Sequence, residues 1–215
     1  KSRDVFVEKI AAMLNPNDIG IFYNFIAKHS EPYKKFGCTP FKSIGGESYF
    51  YFSNDVFKLF ENEVYVDVGA FWGDTVIEFV DACRKQSLDY SKIYAFEPDP
   101  ISFSALKNNV RLYKNVICEP TGVYSKTEEM RFARSDVTPT PGGAGFDKSG
   151  DIKVRYISLD EYFHGRLVTL IKMDPPGDII PEALKGAATL IKQHKPKLAI
   201  GAYHSFSSIY KIPNI

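Results

Sequence analysis

The chain has 215 residues, of which 44% are hydrophobic and 14% aromatic. This is enough to build a globular domain with its own core, so intrinsic disorder is excluded. The 27 Lys and Arg residues balance 26 Asp and Glu residues, and a net charge of +1 provides no sequence-wide basic field for a nucleic-acid backbone. No apolar run approaches the roughly 20 residues of a membrane helix. We therefore expect a soluble protein with neither a nucleic-acid nor a membrane partner.

The three cysteines, Cys38, Cys83 and Cys118, show no C-x-x-C spacing. An odd number of cysteines without that spacing argues against a disulfide framework and against a cysteine zinc site. We therefore expect a reducing, cytoplasmic setting. The chain begins at Lys1 without a signal-like segment, which we interpret as a trimmed start.

The first part of the chain precedes the main domain, and we call it the preface. Apolar residues recur at helical spacing over 4–14 and 18–29, which predicts two helices. The aromatic stretch Tyr49–Phe52, preceded by glycines, predicts a short hairpin. We assign residues 1–60 to this preface and residues 61–215 to the main domain.

In the main domain, strand-like apolar runs alternate with helical patterns. This alternation predicts a Rossmann-like α/β fold, a mainly parallel sheet with helices on both faces. The predicted strands are 64–69, 92–97, 115–119, 167–174 and 197–204, and the predicted helices are 74–86, 100–113 and 181–194. Two further strand-like pieces, 130–133 and 153–158, flank a loop over 138–150 that is rich in Pro and Gly. We expect this loop to be mobile and to cover the acceptor.

The carboxyl ends of parallel strands are where ligands bind in such a sheet. The first strand ends in a turn that holds Gly69 and Gly73, which is not the G-x-G-x-x-G dinucleotide fingerprint. Asp67 and Asp74 make this turn acidic, whereas a pyrophosphate prefers positive potential and bare N–H groups. S-adenosyl-L-methionine has no phosphate and carries an ammonium and a sulfonium. The turn therefore favours S-adenosyl-L-methionine over NAD.

The second strand ends at Glu97, about thirty positions after Asp67. A carboxylate at that position can accept hydrogen bonds from both hydroxyls of a ribose. Alone, Glu97 could equally be a solvated strand-end acid, and the glycines an ordinary tight turn. The two features together at this spacing favour a nucleoside site.

A series of motifs in chain order carries a family resemblance. Each is a modest signal alone, but over residues 64–213 together they resemble the FkbM family of S-adenosylmethionine-dependent methyltransferases. The motifs are Val66-Asp67-Val68-Gly69-Ala70, Phe96-Glu97-Pro98-Asp99-Pro100, Ile157-Ser158-Leu159-Asp160-Glu161-Tyr162, Ile171-Lys172-Met173-Asp174, Ala183-Leu184-Lys185-Gly186-Ala187, Lys195-Pro196-Lys197-Leu198-Ala199-Ile200 and Tyr203-His204.

The resemblance implies the seven-stranded class I methyltransferase sheet, with its parallel strands in the order 3-2-1-4-5. It also implies S-adenosyl-L-methionine as cofactor and a hydroxyl of a small molecule or sugar as acceptor. The residues expected to contact the cofactor are Asp67, Gly69, Ala70, Phe71, Gly73, Asp74, Thr75, Glu97, Pro98 and Gly122. Gly122 belongs to a predicted loop, Thr121–Val123, near the adenine. Trp72 could line the same pocket or simply pack beside it.

Two departures from the family pattern matter. This chain reads Asp174-Pro175-Pro176-Gly177 where the family usually reads Asp-Ile-Glu-Gly, so the acid expected at position 176 is missing. The sequence also ends at Ile215, before the final antiparallel strand pair of this fold. The predicted strand 197–204 would then be an edge, which residues beyond 215 would cover in a monomeric full-length protein.

Methyl transfer to a hydroxyl needs an aligned nucleophile and a base that removes its proton. Asp174 and His204 end neighbouring predicted strands, and we expect His204 to act as the base and Asp174 to orient it or the substrate. His204 could instead be a strand-end histidine satisfied by backbone. Lys172 is predicted to point away from Met173, with no assigned role. Because only Asp174 and His204 are obvious ligands, we predict no metal site.

Two other functions stay open. Amino-group methyltransferases acting on bases carry Asp/Asn-Pro-Pro-aromatic at this strand end, but Gly177 replaces the aromatic residue that would stack on a flipped base. The chain also has no separate target-reading domain. The missing acid at Pro176 and the absent strand pair also suit a binding protein that has kept the fold and lost the chemistry. The identity of the acceptor is not readable from the sequence.

Overall fold

The computed structural model describes residues 51–52, 58–133, 145–146, 152–175 and 179–201. Within these ranges it has nine strands and five helices. The strands are β1 Glu63–Val68, β2 Tyr90–Phe96, β3 Val116–Glu119, β4 Thr121–Val123, β5 Glu128–Ala133, β6 Gly145–Phe146, β7 Ile152–Ile157, β8 Leu170–Met173 and β9 Lys197–Ile200. The helices are α1 Asp74–Lys85, α2 Pro100–Val110, α3 Leu159–Phe163, α4 Ile180–Lys185 and α5 Ala188–His194.

The main sheet has the strand order β3-β2-β1-β8-β9, and every neighbouring pair is parallel. This confirms the predicted order 3-2-1-4-5. One face packs against α1 and α2 through residues such as Phe79 and Leu106. The other face packs against α3, α4 and α5 through residues such as Phe163, Ala183 and Leu190. The predicted α/β fold with helices on both faces is therefore confirmed.

Strand β1 shows how the sequence builds this two-faced sheet. Successive side chains of a strand point to opposite faces. Val66 and Val68 enter the core beside α3, α4 and α5, and Tyr65 enters the core beside α1 and α2. Asp67 shares the face of Tyr65 and is completely buried. A charged group in that position requires a partner in the interior.

The second sheet has the order β4-β7-β5-β6. The predicted strands 130–133 and 153–158 correspond to β5 and β7. The prediction of a loop at Thr121–Val123 is wrong, because these residues form β4 and pair in parallel with β7. Part of the predicted loop 138–150 is also a strand, since β6 pairs with β5, and the rest of that loop lies outside the described residues.

The predicted helix over 181–194 is interrupted, and hydrogen bonds with residues distant in sequence account for the interruption. Helices α4 and α5 are separated by Gly186 and Ala187. The carbonyl oxygen of Gly186 accepts hydrogen bonds from the Asp160 N–H and the Ser158 hydroxyl, both at 2.8 Å. The Asp160 carboxylate then accepts from the N–H groups of Thr189 and Leu190, at 3.0 and 2.8 Å. These bonds cap the start of α5, which the apolar periodicity does not reveal.

Several sequence-based predictions fall on residues that the structure does not describe. The preface up to residue 50, the segment from 202 onward with His204, and Pro176 and Gly177 lie outside the described ranges. Tyr51 and Phe52, the described part of the predicted hairpin, form no strand. Across the described residues, no helix combines the length and hydropathy that crossing a bilayer requires.

Gly186 is expected to be sensitive to substitution. A Cβ atom there would lie 2.0 Å from the carbonyl oxygen of Tyr124, and a backbone atom cannot move aside cheaply. We expect Gly186→Ala to reduce the free energy of unfolding by about 1–3 kcal/mol. Urea unfolding followed by circular dichroism measures this change.

The matched control is Thr189→Ala, an exposed position on α5 whose backbone bond to Asp160 is retained. We expect it to change stability by less than about 0.5 kcal/mol. Equal stability of Gly186→Ala and the wild type would show that the close approach of Tyr124 is not a constraint.

Candidate functional site

Three strand ends meet at one edge of the main sheet. Val68, the last residue of β1, is opposite Phe96 of β2 on one side and Met173 of β8 on the other. The residues that follow these strands are Gly69, Glu97 and Asp174. The register therefore brings the glycine turn between the two predicted carboxylates, as the rule for parallel sheets predicts.

The turn after β1 has an unusual backbone. Gly69, Phe71 and Gly73 have φ angles of 75°, 51° and 92°, in the left-handed region. The N–H groups of Gly69 and Ala70 both donate to the carbonyl oxygen of Phe96, at 3.0 Å each. A Cβ atom on Gly69 would lie 3.0 Å from the carbonyl carbon of Asp174, so a side chain there would crowd the backbone of Asp174 as well as strain the turn. Phe71 has no such freedom, and backbone strain of this kind is concentrated at functional sites.

Beneath the turn lies a buried ion pair. The Lys172 ammonium bonds the Asp67 carboxylate at 3.0 Å and the carbonyl oxygen of Gly69 at 2.9 Å. The Thr75 hydroxyl donates to the other Asp67 oxygen at 2.5 Å. The side chains of Lys172 and Asp67 are 3% and 0% exposed. Both Asp67 oxygens are thus engaged by the protein itself, and they hold the turn against α1 and β8.

This pair corrects the electrostatic argument made from the sequence. Lys172 points away from Met173, as strand alternation predicts, but its partner was not foreseen. The positive charge of Lys172 offsets the negative charge of Asp67. Asp67 therefore does not make the turn acidic toward a ligand. Asp74 is exposed on the first turn of α1 and does contribute negative charge. Direct contact between Asp67 and a cofactor stays a prediction.

Glu97 ties the second strand to the turn. Its carboxylate accepts the N–H of Phe71 at 2.9 Å and the N–H of Asp99 at 2.8 Å. Burial raises the pKa of Glu97 to about 7, against the opposing effect of these two bonds and of Lys172. Asp99 in turn caps α2 by accepting the N–H of Ser102 at 3.0 Å. Glu97 is therefore fixed at the junction of β2, the turn and α2, and it is partly protonated at neutral pH.

Asp174 is held on both sides. Its N–H donates to the carbonyl oxygen of Val68 at 3.0 Å. One carboxylate oxygen lies 2.1 Å from the place of a Cβ on Gly201, so any larger residue at 201 would displace this carboxylate. The other oxygen accepts the hydroxyl of Tyr51 at 2.8 Å. Tyr51 was missed by sequence reasoning, and the pairing of Asp174 with His204 stays a prediction because His204 is outside the described residues.

The remaining predicted cofactor residues divide by exposure. Ala70, Gly73 and Thr75 are buried, whereas Phe71 and Pro98 are half-buried. Trp72 is 49% exposed, and its ring lies 5.4 Å from that of Phe71.

Gly122 does not present an open face on the side of its missing Cβ. A Cβ atom there would lie 2.2 Å from the ring of Tyr156, so this ring fills the space. Any ligand near this part of the fold would meet Tyr156 on that side of Gly122. Gly122 and Tyr156 are in contact because they are opposite each other in the pairing of β4 with β7. A loop at Thr121–Val123, as predicted from the sequence, would not include this pairing.

Titratable groups outside this edge have structural surroundings. His164 and His194 lie at a turn and at a helix end, and His194 Nε2 is 3.2 Å from the Gly165 carbonyl oxygen. Burial raises the pKa of Cys83 to about 12, which keeps that thiol protonated. Among the residues that the structure describes, no three His, Cys, Asp or Glu side chains converge as metal ligands.

Comparison with known proteins identifies one family that matches the sequence and one solved structure with a similar fold. The family described as "Methyltransferase FkbM domain" matches residues 67–212. The chain is similar to the crystal structure of methyltransferase FkbM from Methylobacillus flagellatus KT, with 22% identity and a TM-score of 0.71. That alignment covers 99% of this chain and 52% of the other, so the chain spans about half the length of this solved structure. No curated protein matches the sequence.

The buried ion pair generates a stability prediction. Replacing Lys172 with Met leaves the Asp67 charge buried and unpaired, so the free energy of unfolding should fall by about 3–5 kcal/mol. The double variant Lys172→Met/Asp67→Asn buries no unpaired charge and should be more stable than the single variant. Urea unfolding measures both.

Lys185→Met is the matched control, because Lys185 pairs with Glu182 at an exposed site. Such a pair contributes little, so this variant should unfold like the wild type. A double variant less stable than Lys172→Met alone would contradict the assigned role of the pair.

Proposed function

Because the chain belongs to the FkbM methyltransferase domain family, we propose that it is an S-adenosyl-L-methionine-dependent methyltransferase. We propose that it methylates a hydroxyl group of a small molecule or sugar, as the family resemblance implies. On the charge and the cysteine pattern of the chain, we also propose a cytoplasmic protein that acts without a nucleic-acid or membrane partner. We propose that the full-length protein is a monomer.

The observation that carries the cofactor proposal is the placement of Glu97 against the glycine turn. Each Glu97 oxygen accepts one backbone N–H, and an ionised carboxylate has about four acceptor positions in all. Acceptor capacity therefore remains for the two hydroxyls of a ribose. This set of donors and acceptors fits a nucleoside bound at the ends of β1 and β2.

The charge at the turn supports a cofactor without a pyrophosphate. The ammonium of Lys172 lies beneath the turn, but it is bonded to Asp67 and to the carbonyl oxygen of Gly69. Its charge is thus matched by a carboxylate, and Asp74 adds a negative charge at the start of α1. A phosphate group would find no net positive potential from these residues, whereas a cationic ligand is tolerated.

In the proposed reaction, the bound cofactor supplies a methyl group activated by a sulfonium. The turn and Glu97 bind the adenosyl part and fix its position relative to β8. Asp174 lies beside Gly69, where it can orient the acceptor hydroxyl or the base. The proposed base, His204, removes the hydroxyl proton, and the chain's main contribution is alignment of the nucleophile.

Calorimetry tests the cofactor proposal directly. We expect the protein to bind S-adenosyl-L-methionine and S-adenosylhomocysteine, and to show no heat with NAD. Glu97→Ala should weaken both adenosyl ligands by at least about tenfold, because it removes a charged acceptor of two hydroxyls. Binding of NAD in place of the adenosyl ligands would overturn the proposal.

A pH dependence follows from the raised pKa of Glu97. Ribose hydroxyls donate to the ionised carboxylate, which is the minor form below pH 7 and the major form above it. The affinity for 5′-methylthioadenosine, whose own groups do not titrate in this range, should rise about tenfold from pH 6 to pH 8 and then level off. Titration calorimetry at several pH values measures it. Glu97→Gln should flatten the profile, and a flat wild-type profile would contradict a ribose-binding Glu97 that titrates near pH 7.

A further inference from the structure

Tyr51 brings a side chain to the candidate site from outside the family match, which begins at residue 67. Its hydroxyl donates to the Asp174 carboxylate at 2.8 Å, across 123 positions of sequence. Its ring lies over the Lys172 ammonium, 5.7 Å from ring centre to nitrogen. Tyr51 therefore contacts two residues of one face at the end of β8, one through its ring and the other through its hydroxyl.

The backbone around Tyr51 is anchored. The N–H groups of Tyr51 and Phe52 both donate to one carboxylate oxygen of Glu78 on α1, at 2.7 and 3.0 Å. Phe52 is 2% exposed, and its ring packs edge-on against the rings of Tyr65 and Phe79, 5.4 Å away in each case. These contacts hold the backbone of Tyr51 in place. A hydroxyl held in this way can orient the group to which it donates.

The geometry at Asp174 gives this hydroxyl a defined effect. One carboxylate oxygen lies in the space that a side chain at position 201 would fill, and the other accepts the bond from Tyr51. A hydroxyl is a neutral donor, so this bond orients the carboxylate without offsetting its charge. Asp174 also packs against Gly69, the first residue of the turn that carries the proposed cofactor site.

We propose that Tyr51 is a positioning residue that aims the Asp174 carboxylate at the sulfonium of the bound cofactor. Tyr51 thereby contributes to the discrimination between S-adenosyl-L-methionine, which carries the positive sulfonium, and S-adenosylhomocysteine, which does not. This inference rests on the proposed cofactor. It makes the segment before the family domain part of the site, and it assigns Asp174 an electrostatic contact with the cofactor.

The test is the ratio of the two dissociation constants, Kd for S-adenosylhomocysteine divided by Kd for S-adenosyl-L-methionine, measured by calorimetry. Tyr51→Phe keeps the ring over Lys172 and the backbone bonds to Glu78. It should lower the ratio about threefold to tenfold, the range expected for loss of one orienting hydrogen bond. Asp174→Asn should lower the ratio at least as far. Adding Tyr51→Phe to Asp174→Asn should change the ratio no further, because no charge is left to orient.

Two more variants separate this role from a general effect on folding. Asp174→Glu keeps the charge but displaces it from the Tyr51 hydroxyl, so it should lower the ratio by about threefold to tenfold. This variant tests the same role if Tyr51→Phe does not fold. Tyr90→Phe is the matched control, since it removes one tyrosine hydroxyl bond, to the Lys114 carbonyl oxygen, at the start of β2. Its ratio should equal that of the wild type.

The outcomes distinguish this inference from the function on which it rests. A wild type that binds neither ligand contradicts the proposed cofactor. A wild type that binds both, with an unchanged ratio in Tyr51→Phe or in Asp174→Glu, overturns the role of Tyr51 and leaves the cofactor proposal standing.

Discussion

The ion pair between Asp67 and Lys172 is the contact on which the geometry of the site depends. Burying two charges is costly, and the cost is recovered only when both ions are paired and further hydrogen-bonded. Thr75 supplies that bond to Asp67, and the carbonyl oxygen of Gly69 supplies it to Lys172. The pair therefore does more than join β1 to β8. It fixes where the chain turns after β1, because the same ammonium holds the first residue of the turn.

The other parts of the site follow from the position of that turn. With Gly69 in place, the N–H of Phe71 reaches Glu97, which follows β2, and the backbone of Asp174 packs closely on the opposite side. The two carboxylates then have different surroundings. Glu97 is buried with a raised pKa, and Asp174 is half-buried under the hydroxyl of Tyr51. This asymmetry suits a site that binds a neutral ribose at one strand end and a cationic centre at the next.

Sequence reasoning recovered the features that depend on local pattern. Alternation of strands and helices gives the parallel sheet, the family resemblance gives its strand order, and the residues that follow the strands give Gly69, Glu97 and Asp174. It did not recover features that depend on register or long-range packing. Lys172 and Asp67 become partners only when β1 and β8 are aligned. The break at Gly186 depends on hydrogen bonds with Ser158 and Asp160, and the bond from Tyr51 joins positions that no local pattern relates.

A crystal structure of the protein with S-adenosylhomocysteine tests the central claim most directly. The account predicts that the adenosyl group lies against the turn from Gly69 to Gly73, with both ribose hydroxyls within about 2.6–3.2 Å of the Glu97 oxygens. The Asp67–Lys172 pair should remain intact beneath it. A ligand bound at another edge of the sheet, or a ribose that does not reach Glu97, would contradict the account.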